Sequence, residues 1–189
     1  KNLFITYDNR PNKITATFSF PPLDKDNFRY YTKYGGGALN DLGPYAVSIG
    51  RVIFDSEPCE LICRICGRDG KDNIETAFSM LAVYPENRIM VGHFGFESEY
   101  KNHINILGLN CSIDSERIFT IPDNLENEIT VKSSNDKKKV RSNKADCFEL
   151  FIRKVLDDIE NRNYATFSKL LLSDAKVLNR LKNSANSES

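Results

Sequence analysis

The sequence predicts an α+β domain in which helices cover one face of an open, mainly antiparallel β-sheet. Period-two segments separated by short turn signals occupy the middle of the chain. Segments with apolar residues at steps of three and four precede and follow them. Strands joined by short turns are antiparallel neighbours, because a parallel connection needs about a dozen residues or more. The order strand, helix, many strands, helices is typical of the α+β class.

The N-terminal part predicts one or two strands followed by a helix. Residues 3–7 and 13–20 alternate apolar and polar side chains and are rich in the β-branched and aromatic types that favour strands. A polar, aromatic-rich connector then leads to a triplet of glycines at 35–37. Apolar residues recur at helical spacing from 38 to 54, which predicts a single helix with one buried face.

The middle of the chain predicts a continuous antiparallel meander with no parallel crossover. Turn signals rich in Gly, Pro, Asn and Asp separate the strands. The basic run Lys137–Lys139, with Arg141 and Lys144 after it, predicts a solvated loop rather than a phosphate-binding patch. The predicted strands are residues 59–66, 76–84, 88–96, 102–107, 112–119 and 128–131.

The last fifty residues predict two helices. One apolar stripe runs from Phe148 to Ile159, with Asp146 or Asn143 as the candidate N-cap. A second stripe runs from Leu170 to Leu181, and the polar tail 183–189 predicts frayed chain.

Composition excludes several classes of function. The 189 residues suffice for one domain with its own core, and no apolar run reaches the roughly 18 residues of a membrane span. The 26 basic residues balance 26 acidic ones, so the chain lacks the positive field that nucleic-acid binding requires. The first residue is Lys1, and no signal peptide follows it. We therefore expect a cytoplasmic fragment of a longer protein, without a nucleic-acid or membrane partner.

Neither the cysteines nor the histidines predict a metal site. The five cysteines are odd in number and irregularly spaced, which is typical of reduced thiols in a cytosolic protein. Cys63 and Cys66 are three apart on a predicted strand, so their side chains point to opposite faces of the sheet. His93 and His103 stand on separate strands without a third ligand.

The segment from Gly35 to Tyr45 carries the candidate chemistry. Three glycines before a helix allow close approach of a backbone or a ligand. Asp41 and Tyr45 are four apart, so on one helix they share a face and form a candidate acid/base pair. The alternative is structural, with Asp41 as an N-cap, Pro44 in the first turn and Tyr45 as an ordinary half-buried aromatic.

The run GGGALNDLGPYAVSIGRVIFDSEP, residues 35–58, resembles the start of the second domain in the glucose-fructose oxidoreductase and inositol dehydrogenase family (Gfo/Idh/MocA). Asn27-Phe28-Arg29 and the N-x-I-x-I-x-G stretch at 102–108 extend the resemblance more loosely. It implies a fold like the C-terminal domain of glyceraldehyde-3-phosphate dehydrogenase. It also implies a two-domain enzyme that uses NAD or NADP, with residues 1–189 as the single substrate-binding and oligomerisation domain. The Rossmann domain and its G-x-G-x-x-G turn are absent from this chain.

The resemblance also implies roles for particular residues. Tyr45 takes the position of the general acid/base, where many members have histidine, and Asp41 takes the position of its partner. Arg29, Lys33 and Tyr34 fall where members line the substrate pocket, and the triplet's Gly36 and Gly37 fall near the cofactor. We expect no cofactor bound to this chain alone.

Two functions from different classes follow from these observations. The first is the substrate-binding and oligomerisation domain of an oxidoreductase that transfers a hydride to or from a sugar, nucleotide sugar or polyol. Such a domain is expected to form a homodimer or homotetramer through its sheet, since an open sheet face needs a cover. The second is a non-catalytic sugar-binding or protein-interaction module that lacks the dinucleotide domain.

Overall fold

A computed structural model describes Phe4 and residues 10–134 and 136–187 of the chain. Apart from Phe4, whose side chain is buried, the strand predicted over residues 3–7 lies outside this part. The described strands are β1 Lys13–Ser19, β2 Glu60–Asp69, β3 Ile74–Tyr84, β4 Arg88–Gly95, β5 Lys101–Leu107, β6 Cys111–Glu116, β7 Glu128–Ser133 and β8 Asp136–Arg141. These eight form one sheet in the order β2-β3-β4-β1-β5-β6-β7-β8.

Strand β1 interrupts the predicted meander. It lies between β4 and β5, parallel to the first and antiparallel to the second, so that Thr17 stands opposite both His93 and His103. The prediction of a continuous meander is therefore wrong between β4 and β5, because β1 separates these two strands. Inserting β1 satisfies the backbone of both neighbours and buries Ile14 and Phe18. The remaining neighbours pair antiparallel, which confirms a mainly antiparallel sheet.

The basic run is a strand and not a solvated loop. Residues 136–141 form β8, which pairs with β7 at the edge of the sheet. Glu128 on β7 lies 2.7 Å from Lys139 Nζ and 3.6 Å from Arg141 Nε. The hydrogen bond from Lys139, helped by both positive charges, lowers the pKa of the Glu128 carboxyl. Lysines on an exposed edge strand also hinder edge-to-edge pairing with other chains.

The helices are α1 Ala38–Asp41, α2 Gly43–Phe54, α3 Cys147–Glu160 and α4 Tyr164–Asn186. The helix predicted over residues 38–54 thus breaks at Leu42 (φ −106°). Pro44 explains the break, because it has no N–H to donate to the carbonyl of Asn40. Asp146 caps α3 by accepting from the N–H groups of Phe148 and Glu149, which selects it over Asn143.

Helix α4 continues through most of the tail that was expected to fray. Ser184 Oγ accepts a hydrogen bond from the N–H of Cys63 on β2 (3.0 Å). Ala185 is also buried, and these contacts keep the polar end helical. Arg51 on α2 donates two hydrogen bonds to the carboxylate of Asp174 on α4, at 2.6 and 2.7 Å. This ion pair links the two helices.

The helices cover one face of the sheet and leave the other open. On β3, Phe78 and Met80 are buried under the helices, whereas the alternate residues point to the opposite face. Gly50 on α2 allows the Tyr84 hydroxyl to approach, since a Cβ at that position would collide with it. The open face exposes apolar side chains on three strands, namely Ile62, Val91 and Leu107.

Candidate active site

Tyr45 lies in the first turn of α2, at the margin of the helix layer. Its ring packs edge-on against Phe18 of β1, with centroids 5.4 Å apart, and against Phe119 after β6, at 5.8 Å. The residue is half-buried. Among the described residues, none forms a hydrogen bond with the Tyr45 hydroxyl. Packing therefore fixes the ring while the hydroxyl stays available to a ligand.

A cleft of about 490 Å³ opens beside Tyr45. The loop after β6 and the first turn of α3 form its other walls, through residues 119–123, Asp146, Cys147, Phe148 and Phe151. This volume is within the range of small-molecule sites. Aromatic walls with a few carboxylates suit the apolar faces and hydroxyl groups of a sugar ring.

Asp41 binds Arg29 and not Tyr45. The Arg29 Nε donates to Asp41 Oδ2 at 2.7 Å, and both side chains are about a quarter exposed. The guanidinium also stacks over the Phe28 ring at 4.7 Å. The N-cap of α2 is Leu42, without a side-chain hydrogen bond, so the alternative that Asp41 caps this helix is wrong. None of these contacts is a hydrogen bond between Asp41 and Tyr45, so their predicted partnership stays a prediction.

The glycine triplet holds the loop that carries Arg29 in place through backbone hydrogen bonds. The N–H of Gly36 donates to the carbonyl of Tyr31 (3.1 Å), and the N–H of Gly37 donates to the carbonyl of Arg29 (2.9 Å). Gly37 has φ +105°, and a Cβ there would collide with the Glu75 carboxylate. Because both amides are already used within the chain, they form no free cradle for a nucleotide phosphate. The predicted cofactor contact of these glycines stays a prediction.

Lys33 and Tyr34 lie on the surface next to this loop. The Lys33 ammonium is 4.6 Å from the centre of the Tyr34 ring, and Tyr34 is 60% exposed. Neither residue lines the cleft at Tyr45. The structure therefore brings Arg29 and Asp41 together and places Tyr45 in a cleft that neither Lys33 nor Tyr34 lines.

The two histidines and the closely spaced Cys63 and Cys66 all lie on strands of the sheet. His93 Nδ1 is 2.9 Å from Ser79 Oγ, and His103 Nε2 is 2.9 Å from Asp114 Oδ2. Cys63 pairs with the buried Met80, whereas the Cys66 thiol is 3.3 Å from Ser79 Oγ on the other side of β3, which confirms that the two cysteines point to opposite faces. Burial raises the pKa of the Cys63 thiol to about 12. Within residues 10–134 and 136–187, no three His, Cys, Asp or Glu side chains form a group suited to a metal ion.

Sequence reasoning missed the walls of the cleft. Phe18 and Phe119 meet Tyr45 only because β1 enters the middle of the sheet. Phe148 and Phe151 lie about a hundred positions from Tyr45 in the chain. The aromatic character of these positions was visible in the sequence, but their convergence depends on long-range strand order.

Comparison with known proteins places the chain in a family. Residues 10–114 match the model of the GFO/IDH/MocA C-terminal domain, which is more than half of the chain. The protein therefore belongs to the GFO/IDH/MocA family, and this domain is the family's C-terminal one. None of the described helices is long and apolar enough to cross a membrane.

Relatives with assigned activities include reductases of nucleotide sugars. The dTDP-3,4-didehydro-2,6-dideoxy-α-D-glucose 3-reductases of Streptomyces antibioticus and Saccharopolyspora spinosa are 26% and 28% identical over 110 residues. Each match covers 58% of this chain and 33% of the relative. The chain thus matches only a third of the length of these relatives.

Solved structures share the fold over nearly the whole chain. The 3-ketoreductase KijD10 from Actinomadura kijaniata, solved with NADP and TDP-benzene, gives a TM-score of 0.83 at 20% identity. That match covers 97% of this chain and 58% of KijD10. The aldose-aldose oxidoreductase of Caulobacter crescentus, solved with glycerol, gives 0.74 at 14% identity, covering 95% of this chain and 54% of that one.

Proposed function

We propose that residues 1–189 form the substrate-binding and oligomerisation domain of an NAD(P)-dependent oxidoreductase that acts on a sugar, nucleotide sugar or polyol. Nucleotide sugars are the favoured class, because the reductases named above act on dTDP-linked sugars. The observation that carries the proposal is the position of Tyr45 at a cleft of sugar size, with a packed ring and a hydroxyl that no residue in the described part of the chain hydrogen-bonds.

The proposed role of Tyr45 is proton transfer. Hydride transfer to or from a carbon of the sugar requires a proton to move at the attached oxygen. The packing of the Tyr45 ring against Phe18 and Phe119 at the cleft supports its hydroxyl as the group that gives or takes this proton. NAD(P), when bound, supplies or receives the hydride. The internal use of the Gly36 and Gly37 amides favours another domain as the holder of its phosphates.

Arg29, Lys33 and Tyr34 are proposed as substrate contacts outside the cleft. Arg29 uses Nε to bind Asp41, which leaves its terminal nitrogens for an anionic group. The Lys33 ammonium and the Tyr34 ring stand together on the same surface. A nucleoside diphosphate would match these two positive charges and offer a base for stacking, whereas a neutral polyol would use neither.

The open sheet face is the proposed contact between copies, in a cytoplasmic homodimer or homotetramer. Ile62, Val91 and Leu107 are each between 41% and 46% exposed on that face. Covering them with the same face of a second copy removes this apolar surface from water.

Turnover of defined sugars tests the proposed function. The polypeptide that joins this domain to its nucleotide-binding domain is mixed with NADPH and a dTDP-linked keto sugar, and nicotinamide fluorescence is followed. We expect oxidation of NADPH with this sugar and much slower oxidation with the matching free sugar. Binding of the sugars without any turnover, in either direction and with NADP or NAD, would contradict the proposal and favour a non-catalytic module.

A further inference from the structure

Asn102 is a buried polar residue that the proposed proton transfer does not use. It lies on β5, on the side of the sheet that the helices cover, and is 1% exposed. Ile104 and Ile106 follow it on the same side of the strand and are buried apolar residues. A polar amide in such surroundings is costly unless its donor and its acceptor both find partners. The partners of Asn102 therefore indicate its role.

The Asn102 side chain binds the loop that follows β6. Its Oδ1 accepts a hydrogen bond from the N–H of Phe119 at 3.0 Å. Its Nδ2 donates to the carbonyl and to the hydroxyl of Thr120, at 3.3 and 3.0 Å. The Tyr100 hydroxyl, 3.4 Å from Nδ2, is a longer third contact. Because a side-chain amide has the donor and the acceptor of a peptide group, Asn102 holds this loop much as a neighbouring strand would.

The loop that Asn102 holds forms one wall of the cleft at Tyr45, through residues 119–123. The Phe119 ring stacks on Phe18, with centroids 5.3 Å apart and 13° between the ring planes. It also meets the Tyr45 ring edge-on, at 5.8 Å. Asn102 stands opposite Phe18 in the register of β5 and β1. The amide therefore fixes the backbone of Phe119 next to the residue on which its ring stacks.

We propose that Asn102 is a positioning residue for the candidate active site, an inference that rests on the proposed function. It does not line the cleft itself, so it acts through Phe119. Without the amide, the backbone of Phe119 loses the hydrogen bond that keeps its ring against Tyr45. The sugar then loses the wall that holds its reacting oxygen near the Tyr45 hydroxyl. A displacement of about 1 Å in such a wall is enough to slow a reaction roughly a hundredfold.

The kinetics of Asn102→Ala, in the polypeptide that contains both domains, test this role. With NADPH and a dTDP-linked keto sugar, we expect kcat to fall by about 10-fold to 100-fold and KM for the sugar to rise at least about threefold. The amides of residues 117–121 should exchange their hydrogens at least about tenfold faster than in the unmodified polypeptide.

Asn127→Ala is the matched control. Asn127 is also a buried asparagine, 6% exposed, and its side chain donates a hydrogen bond to Ser115 Oγ at 3.2 Å. It does not line the cleft. We expect this substitution to lower the free energy of unfolding, as Asn102→Ala does, but to leave kcat and KM unchanged.

Asn102→Asp is an isosteric variant whose defect should depend on pH. The carboxylate still accepts from the N–H of Phe119, but it has no proton to donate to the Thr120 carbonyl, and only the protonated carboxyl regains a donor. Burial favours the protonated form. We therefore expect the deficit in kcat/KM, relative to the unmodified polypeptide, to be smaller at about pH 5 than at about pH 8.

Two outcomes would overturn the positioning role. One is a folded Asn102→Ala protein whose kcat and KM stay within about twofold of the original values. The other is an equal loss of activity in Asn127→Ala, which would assign the effect to stability alone. If circular dichroism shows that Asn102→Ala is unfolded, Asn102→Asp decides, and a deficit that does not change with pH overturns the role.

The proposed function fails separately, when the unmodified polypeptide turns over none of the sugars. Titration calorimetry of the same dTDP-linked sugar then decides the role of Asn102. Weaker binding to Asn102→Ala than to Asn127→Ala supports the role, and equal binding to the two variants overturns it.

Discussion

The Nε atom of Arg29 lies 2.7 Å from Oδ2 of Asp41, and this ion pair joins the loop before the glycines to the end of α1. Asp41 stands four residues before Tyr45 but turns its carboxylate to the loop. Its effect on the candidate general acid/base is therefore indirect, through the position of the loop and of the helix start.

Breaking this pair should cost stability and show energetic coupling. Asp41→Asn leaves the partly buried Arg29 with a weaker acceptor, so we expect the free energy of unfolding to fall by about 1 kcal/mol. A double-mutant cycle with Arg29→Gln, measured by urea denaturation, should return a coupling energy of about the same size. Additive effects of the two substitutions would show that the contact contributes nothing to the fold.

The free energy of unfolding should fall in alkaline solution because two weakly acidic side chains, the Tyr84 phenol and the Cys63 thiol, are buried. Burial raises the pKa of Tyr84 to about 12 from its ordinary 10.0, and that of Cys63 to about 12 from 9.0. The unfolded chain therefore loses these protons at lower pH than the native protein, so their contribution is complete below about pH 9 and is lost between pH 9 and 12. Urea denaturation should show that the free energy of unfolding falls by about 1 kcal/mol for each pH unit and for each of the two groups.

Tyr84→Phe provides the control for the alkaline decline. It removes the hydroxyl that faces Gly50 and keeps the ring beside Phe54. The decline above pH 10 should become shallower in this variant, while the part due to Cys63 remains. An identical pH profile in both proteins would rule out Tyr84 as a cause.

The 189-residue chain alone should bind NAD and NADP only weakly. The amides of Gly36 and Gly37 are hydrogen-bonded within the chain, and the sequence contains no G-x-G-x-x-G turn. Titration calorimetry should give dissociation constants above about 100 μM, equivalent to less than roughly 5.5 kcal/mol of binding free energy. Tighter binding of either nucleotide would mean that this domain holds a cofactor site of its own.

The open sheet face should mediate self-association. We expect sedimentation velocity to report a dimer or larger species for the chain at about 100 μM, a concentration well above the dissociation constant of a stable interface. Val91→Glu should convert it to monomer, because a buried unpaired charge is costly. Leu109→Glu is the matched control, since Leu109 is an apolar residue on the turn after β5 and is 84% exposed. A monomer before any substitution would refute the expectation.

The fold class was predictable because local patterns determine it. Alternation along β3 and β4 agrees with the structure, as does the burial of Leu42 and Leu181 on the predicted helical stripes. Val52, which the first stripe also includes, is instead 49% exposed. The position of β1 was not predictable, since strand order depends on contacts between residues far apart in the chain. The edge strand β8 was missed because lysines dominate its composition, and its pairing with β7 decides its conformation instead.

The candidate site was predictable only in part. The resemblance of residues 35–58 to one family directed attention to Asp41 and Tyr45. Spacing alone suggested a contact between them, but the break at Leu42 and the competing guanidinium of Arg29 give Asp41 another partner. The cleft itself depends on Phe119 and α3, which no local pattern connects to Tyr45.

The turnover number of Tyr45→Phe, in the polypeptide that contains both domains, tests the central claim most directly. The substitution keeps the ring against Phe18 and Phe119 and removes only the hydroxyl. With a confirmed sugar substrate, we expect kcat to fall by about 10² to 10⁴, with unchanged nucleotide affinity and unfolding free energy. Tyr100→Phe, at a partly exposed tyrosine outside the cleft, should keep full activity. A Tyr45→Phe protein with more than about half of the original kcat would contradict the assignment of proton transfer to Tyr45.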